Sequence, residues 1–515
     1  MKKSLAKTLF VIIAVALGIT AFAGCQDLGE HIPIDYDIIL QIDCLSDVDT
    51  SGWQVRTRPQ LSGTLRITFF DGGFGRAWID EIASQFRLLY PNVTVNLQSS
   101  QNVANIIEAE LSGNNFADIY ISHNLPWNRM AGRGQIANLN NLFTSVVYTD
   151  SNDSSNPVRF RDRIASSALR TTLMRDRDGN VGHWQVPFVM GAGGLAYNAA
   201  LFEANGWEVP ETVEELFALA DTIANANVPT RSGRDTVRPF VWSSSEYLWD
   251  SVVFDWWAQL ASINDGDTSI IEFNRYRSAQ QFNPEYWPEL KTAWTAWHDL
   301  IAVPGNINSV PHSTGFTDLV AQTAFVQGYA AMMPAASWLV NELGLEIINH
   351  NEADIRLMPT PFINGAREDE YGNPIRVSNV IEYNQNIVVA ARSQNMAAAE
   401  EFLRFMTERD ISLIFPANTN GALFAHRYDL EDLMYNAASE WERSMYDVMS
   451  TSLRFSTWSD NPRYVLTPAG PFPNRHGYIR AANNPNAVTP ETFFNERWDL
   501  ARNNWARWGR DAGIL

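Results

Sequence analysis

The sequence contains only two cysteines, Cys25 and Cys44, among its 515 residues. Two thiols cannot form the disulfide framework of a small secreted scaffold, and acylation of Cys25, argued below, would leave no intramolecular pair. Stability must therefore come from burial of apolar side chains. The composition allows this, because 45% of the residues are hydrophobic and 12% are aromatic. A folded part of about 450 residues predicts two or more domains.

Positive charge is also scarce. The chain has 38 Lys and Arg residues against 58 Asp and Glu residues, which gives a formal net charge of −20. After Lys7 the only lysine is Lys291. Phosphate contacts need clusters of Lys and Arg, so we predict no nucleic-acid partner.

Motifs of catalysis and metal binding are missing as well. Neither G-x-S-x-G nor H-E-x-x-H occurs, and the eight histidines lack the spacing of metal ligands. The stretch DGGFG does not have the G-x-G-x-x-G spacing of a dinucleotide-binding loop. We therefore predict no enzyme activity, no cofactor and no metal. A Ser-His-Asp set or a pair of glycosidase carboxylates stays open, since their members can be distant in sequence.

The one long apolar run lies at the N-terminus, in MKKSLAKTLFVIIAVALGITAFAGC. Three lysines precede an apolar stretch, and small residues precede Cys25, which is the order of a secretory signal. The ending resembles a bacterial lipobox, in which Cys25 becomes the lipidated first residue, although Phe22 stands where the pattern has Leu. An ordinary cleaved signal with an incidental cysteine is the alternative. We predict a signal over residues 1–25, a flexible tether over 26–62, and a lipid anchor that holds the protein at the extracytoplasmic face of the membrane.

Hydrophobic periodicity predicts an α/β fold from Gly63 onwards. GTLRITFF, NVTVNLQ and ADIYIS predict strands, and helices are predicted between them in RAWIDEIASQFRLLYP and VANIIEAELSGN. This β-α-β-α-β order is typical of a parallel sheet. Thr212 and Glu215 predict a capping box at the start of a later helix. DIRLMPTPF and NIVVAARS predict further strands, NMAAAEEFLRFMTERD predicts a helix, and the last hundred residues predict helices.

The stretch AFVQGYAAMMPAASWLVNEL, residues 324–343, places a very large side chain after a run of small ones. Tyr329 to Met333 predicts a strand that Pro334 ends. Trp338 would then lie in the turn that begins the next helix. Ligands of open α/β sheets bind beyond the carboxyl ends of strands, so Trp338 is a candidate binding residue. Packing in the core is the alternative.

Four segments in this order resemble the solute-binding proteins of carbohydrate ABC importers, the maltose-binding-like family. They are residues 63–95 with the opening strand, turn and long helix, residues 186–220 with Tyr197-Asn198, the stretch FVQGYAAMMPAASW, and NIVVAARSQNMAAAEEFLRFMT. The resemblance covers about residues 63–515. No single segment is diagnostic, whereas four in the correct order behind a lipobox-like signal are fairly specific.

The resemblance implies a two-lobed α/β fold of the type II periplasmic-binding-protein kind that closes on its ligand by a hinge. Carried over, the first lobe comprises residues 63–188 and a return segment, 376–425. The second lobe comprises 189–375, and 426–515 is a helical segment that packs on the second lobe. It also implies a monomer whose partners are a sugar or oligosaccharide and the permease subunits of an ABC transporter.

Sugars are bound by aromatic faces and by planar polar side chains. The candidates are therefore residues of both kinds in the loops at the carboxyl ends of the predicted strands. Each candidate has a packing or solvent-exposed alternative. The resemblance implies that Trp338 stacks on sugar, because a Trp of the family does so at this place. It also implies that Glu246 and Tyr247 match an acid–aromatic pair that faces the cleft in the family. The remaining candidates are Asp71, Phe74, His123, Asn124, Trp127, Trp249, Asn379, Glu382 and Tyr383.

Two functions from different classes therefore stay open. The first is a lipid-anchored receptor that captures a sugar and delivers it to a permease. The second is a secreted lipoprotein hydrolase acting on polysaccharide, for which the aromatic residues would be substrate platforms. Within the receptor class, a non-sugar solute such as a peptide or polyamine is an alternative, because Glu246 and Glu382 supply carboxylates.

Overall fold

The computed structural model describes residues 58–147, 158–175, 181–243, 249–261, 279–283, 285, 288–303, 305, 307–379, 385–455 and 489–511. Within these ranges the chain folds into two lobes, each with its own β-sheet and flanking helices. This confirms the two-lobed α/β class. Across the same ranges, no helix combines the length and apolar character that a membrane span requires.

Seventeen strands are described, most of them short. They are β1 (Gly63–Phe69), β2 (Val93–Ser99), β3 (Ile119–His123), β4 (Val146–Val147), β5 (Val158–Arg159), β6 (Leu173–Arg175), β7 (Val181–His183), β8 (Val186–Pro187), β9 (Val189–Met190), β10 (Gly193–Asn198), β11 (Arg238–Phe240), β12 (Ala330–Ala336), β13 (Ile355–Met358), β14 (Val377–Asn379), β15 (Gln385–Val389), β16 (Leu423–Phe424) and β17 (Leu453–Phe455).

Nineteen α-helices are described. They are α1 (Ala77–Leu89), α2 (Val103–Ser112), α3 (Trp127–Gly132), α4 (Asn140–Thr144), α5 (Phe160–Arg163), α6 (Ser166–Leu169), α7 (Ala199–Asn205), α8 (Val213–Ala226), α9 (Asp250–Leu260), α10 (Pro288–Ile301), α11 (Asp318–Val326), α12 (Leu339–Leu343), α13 (Leu345–His350), α14 (Met396–Met406), α15 (Arg409–Ser412), α16 (Ile414–Asn418), α17 (Leu430–Asn436), α18 (Glu440–Thr451) and α19 (Pro490–Asp511). The capping box of Thr212 and Glu215 is present at the start of α8, as predicted.

The first sheet has the strand order β2-β1-β3-β15-β8. β1 is parallel to β2 and to β3, with Ile67 opposite Ile119, which confirms the arrangement that the β-α-β-α-β order predicts. β15 then pairs antiparallel to β3, with Gln385 opposite His123, and β8 pairs antiparallel to β15. A segment more than 250 residues further along the chain is thus an internal strand of the first sheet.

The second sheet has the order β11-β12-β10-β13 and is mixed rather than parallel. β12 runs through Pro334 to Ala336, so the prediction that Pro334 ends this strand is wrong. Pro334 lies opposite Leu195 of β10. The pairing of β11 with β12 stops at Met332, so the missing N–H of Pro334 costs no ladder hydrogen bond on that side.

The sheets are covered by apolar side chains on both faces. In the first lobe, α1 buries Trp78, Ile82 and Phe86 against the sheet. In the second lobe, α9 and α10 bury a cluster rich in tryptophan. Its members below 2% exposure include Trp242, Trp256, Trp294 and Trp297. In the described part of the chain, which contains no cysteine, helices and strands thus form layered cores by burial of apolar side chains.

The C-terminal helices pack at two places. The side chain of Ser444 in α18 accepts a hydrogen bond from the backbone N–H of Leu357 in β13, at 2.9 Å. α19 packs against α10 on the outer side of the second lobe. The division into 63–188, 189–375, 376–425 and 426–515 stays a prediction.

A buried ion-pair cluster holds α14 against the first lobe. Arg404 bonds Glu401 at 3.3 Å, Glu400 at 2.9 Å and the hydroxyl of Ser145 at 2.7 Å. The hydroxyl of Tyr90, at the end of α1, donates to Glu401 at 2.5 Å. The side chains of Arg404 and Glu401 are 4% and 1% exposed. Loss of one partner would leave a buried charge without its counter-ion.

We expect Arg404→Met to lower the free energy of unfolding by about 3 kcal/mol, because Glu401 would lose its cation in a desolvated site. Urea unfolding followed by tryptophan fluorescence measures this. Arg443→Met is the control, since Arg443 pairs with Glu440 while 46% exposed, and should change stability by less than about 0.5 kcal/mol. Equal losses in the two variants would contradict the importance of the buried cluster.

His426 is a buried histidine that the fold keeps neutral. It is 5% exposed and lies 5.1 Å from the ring of Phe424 and 6.4 Å from the ring of Tyr428. Burial, with a smaller contribution from the charge of Arg163, lowers the pKa of His426 to about 3. Its Nδ1 has no hydrogen-bond partner.

The lowered pKa makes stability depend on pH. The unfolded chain binds a proton at His426 below about pH 6.5, whereas the folded chain does not until about pH 3. His426 should therefore cost about 1.4 kcal/mol of stability per pH unit as the pH falls between these values. Melting temperatures at pH 7, 6, 5 and 4 should decline less steeply in His426→Gln than in the parent. His350→Gln, which changes an exposed histidine, should keep the parent slope. If the melting temperature of His426→Gln fell with pH as steeply as that of the parent, this assignment would be wrong.

Candidate functional site

The loops that follow β1, β3 and β12 come together, although they belong to two different sheets. The backbone N–H of Phe70 donates to the carbonyl of Ile121 at 2.8 Å, and the ring of Phe70 meets His123 edge-on with centroids 4.4 Å apart. On the other side of the β1 loop, a Cβ placed on Gly73 would lie 3.8 Å from the Cβ of Trp338. Elements from both lobes therefore contribute to one candidate site at the carboxyl ends of these strands.

Trp338 occupies the N-cap position of α12, two residues after β12 ends. It is 9% exposed and packs in the same hydrophobic cluster as the core of the first lobe. Ser337 beside it is fully buried. The sequence thus placed Trp338 correctly at the junction of strand and helix.

The β1 loop holds Asp71 and Phe74 in different environments. The carboxylate of Asp71 is partly exposed and accepts a hydrogen bond from the side chain of Gln101. Phe74 is 5% exposed and packs against Phe188 and Phe415, with ring centroids 6.3 Å and 5.5 Å away. Asp71 can reach a ligand, whereas the ring of Phe74 serves the core.

The β3 loop holds His123, Asn124 and Trp127. Burial lowers the pKa of His123, so its ring is neutral near pH 7, and its Nδ1 lacks a hydrogen-bond partner. Asn124 adopts a left-handed backbone conformation with φ of 53°, which turns the chain sharply. Trp127 is fully buried, so its ring packs beneath the loop.

Two polar residues of this site were missed in the sequence. Asn386 of β15 lies directly opposite Ser122 of β3 and opposite Pro187 of β8. Asn386 is fully buried and Ser122 is 1% exposed, yet the amide atoms of Asn386 and the hydroxyl of Ser122 have no hydrogen-bond partner. Unmet polar groups are costly in a buried position, so this row has capacity to bind a polar ligand or water. The signal in the sequence is a polar residue that opens the otherwise apolar strand NIVVA.

Several candidates are not brought to this site. Trp249 is 2% exposed and lies among Phe240, Trp242 and Trp297, with ring centroids 5.6 to 6.0 Å apart, so its position favours the packing interpretation. The backbone of Asn379 lies in β14, paired with β17. The residues outside the described ranges are Glu246, Tyr247, Glu382, Tyr383 and Cys25.

A separate groove of about 890 Å³ runs along α11 at the opposite end of the second sheet. Arg238 at the start of β11 and Tyr329 just before β12 line it, so it faces away from the strand ends that carry Trp338. In the part of the chain that the structure describes, no group of three or more His, Cys, Asp or Glu residues could hold a metal ion.

Comparison with solved structures shows the same fold. A chitin oligosaccharide binding protein is 14% identical with a TM-score of 0.60, covering 86% of this chain and 99% of its own. RafE from Streptococcus pneumoniae is 15% identical with a TM-score of 0.59, covering 87% and 99%. The GacH receptor of Streptomyces glaucescens is 17% identical with a TM-score of 0.57, covering 86% and 98%. No curated protein matched the sequence.

The family model described as bacterial extracellular solute-binding protein matches residues 73–411. This range is well over half of the chain, and it contains Gly73 and Phe74 of the β1 loop, strands β3 and β15, and Trp338 with α12. The chain belongs to the bacterial extracellular solute-binding protein family.

Proposed function

We propose that this protein captures a sugar or oligosaccharide between its two lobes and delivers it to an ABC permease. The observation that carries the proposal is the meeting of the β1 and β3 loops of one lobe with Trp338 of the other. A ligand at this place touches both lobes at once. The proposed site combines an indole with carboxylate, amide and imidazole groups, which is the mixture that pyranose rings require.

The structural neighbours support a sugar as the ligand. RafE has been solved with raffinose, GacH with acarbose, and a third neighbour is named a chitin oligosaccharide binding protein. These ligands differ in size and linkage. The likeness therefore supports the class of ligand and leaves its identity to experiment.

Each proposed contact has a chemical role. Trp338 stacks on the apolar face of a sugar ring, and Asp71 accepts hydrogen bonds from its hydroxyls. His123 and Asn124 approach from the β3 loop, with Asn386 beneath them. Glu246 and Tyr247, together with Asn379, Glu382 and Tyr383, are proposed as further contacts on their sequence positions alone.

The mechanism follows from the two-lobe arrangement. A ligand that contacts both lobes only when they are closed shifts the equilibrium toward the closed form by its difference in affinity. The permease then recognises the closed form. We further propose that lipidation of Cys25 anchors the protein outside the cell membrane, where it acts as a monomer without enzymatic activity.

A thermal-shift screen tests the function. The melting temperature of the full chain should rise in the presence of its own sugar. At a sugar concentration one hundred times the dissociation constant, the added stability is about 2.7 kcal/mol. The panel comprises galactose, raffinose, acarbose, maltotriose, chitin oligosaccharides and xylan oligosaccharides, with spermidine and a tripeptide as non-sugar probes. Sugars recovered unchanged after incubation would exclude a hydrolase. Absence of any shift, together with products from a polysaccharide, would overturn the receptor proposal in favour of the hydrolase.

We expect Trp338→Ala to weaken binding of the sugar found in that screen by at least tenfold, about 1.4 kcal/mol, because the proposed stacking surface is lost. Calorimetric titration measures the affinity, and circular dichroism verifies the fold. Trp207→Ala is the matched control, since Trp207 packs against Phe202 in the second lobe, with ring centroids 5.8 Å apart. If Trp338→Ala bound the sugar with unchanged affinity, Trp338 would be a packing residue of the core.

A further inference from the structure

A hydrogen bond joins the facing loops of the two lobes. The side-chain amide of Asn341, in α12 of the second lobe, donates to the backbone carbonyl of Gly73 in the β1 loop of the first lobe at 2.5 Å. The two residues are 268 positions apart in sequence. Because each loop is carried by a different sheet, this bond can exist only while the lobes are close together.

The local geometry is built for this contact. Trp338, Asn341 and Glu342 are spaced i, i+3 and i+4, so they share one face of the short helix α12. The opposing residue is Gly73, whose φ of 76° favours glycine. A Cβ on residue 73 would already contact Trp338 at 3.8 Å and the carboxylate of Glu342 at 3.7 Å, so the backbone approaches α12 closely.

Glu342 fixes the orientation of this face. Its carboxylate accepts a hydrogen bond from the side chain of Gln322 in α11 at 2.7 Å. α11 and α12 both pack in the second lobe, next to β12. The face that meets Gly73 is therefore held by its own lobe before the other lobe arrives, so little conformational entropy is lost when the contact forms.

We propose that Asn341 is a closure latch: a positioning residue that stabilises the closed form through the Gly73 carbonyl. This inference rests on the proposed function, since closure matters only if the lobes clasp a ligand. A typical hydrogen bond changes such an equilibrium by about fivefold. Because the apparent affinity follows the fraction of closed molecules, the latch tunes sugar binding by up to the same factor.

The lobe separation can be measured without any ligand. The full chain with Cys25→Ser and Cys44→Ser has no thiol, so two cysteines can be introduced for spin labels at exposed positions, Asn105 in α2 of the first lobe and Glu214 in α8 of the second. Pulsed electron paramagnetic resonance then reports the distance distribution. We expect the spin-labelled parent to show a short-distance population. In Asn341→Ala and in Asn341→Leu, the ratio of the short-distance to the long-distance population should fall about fivefold.

The two variants separate hydrogen bonding from packing, because leucine keeps the branched shape of asparagine at Cγ and removes its polar amide group, whereas alanine removes both. Asn349→Ala is the matched control, since Asn349 is exposed on the next helix, α13, and should leave the distribution unchanged. Melting temperatures confirm that all variants fold. The latch is overturned if the parent lacks a short-distance population, or if Asn341→Leu leaves the distribution unaltered.

The outcome is independent of the sugar screen. If no sugar binds, the proposed function fails while the distance distributions still decide the latch. If a sugar from the screen binds, its affinity should fall about fivefold or less in Asn341→Leu, although Asn341 does not stack on the sugar. An affinity loss without any change in distance would reassign Asn341 to direct ligand contact.

Discussion

The antiparallel pairing of β15 with β3 is the constraint on which the rest of this molecule depends. It places Gln385 opposite His123 and Asn386 opposite Ser122, so a late segment of the chain becomes an internal strand of the first sheet. The second lobe is therefore inserted between two parts of the first, and the chain crosses between the lobes in both directions. The crossing also gives the candidate site its composition, because neighbouring polar groups arise from segments that are far apart in sequence.

Solvation distinguishes the two sides of the cleft. On the first lobe, Ser122, His123 and Asn386 hold polar atoms without partners in places that water reaches poorly. Such unpaired polar atoms raise the free energy of the protein without ligand. A ligand that forms hydrogen bonds with them therefore gains binding free energy that water does not provide. On the second lobe, Trp338 offers mainly apolar surface. A sugar, the ligand proposed above, has one apolar face and edges rich in hydroxyl groups, and would suit both sides.

The sequence predicted what is local and missed what depends on register. The strands and helices from Gly63 to Ser122, and the capping box at Thr212, follow from periodicity and end signals, and the structure contains them. The continuation of β12 through Pro334 depends on its antiparallel pairing with β10, which no local pattern shows. Asn386 was missed because its position opposite Ser122 depends on the register of β15 against β3. Trp249 shows a further limit, since helical spacing of aromatic residues is the same for a buried cluster as for a binding surface.

The position of Pro334 has an evolutionary consequence. Because Pro334 cannot donate to a neighbouring strand, the second sheet has no ladder there that a longer β11 could extend. Trp242 and Ser243, which follow Val241, lie outside the strands, so a change in chain length after them need not disturb the register of β12 or the placement of Trp338. One rigid scaffold can accept connecting segments of different length, and related chains can diversify their ligand preference by changing loops while the sheets stay the same.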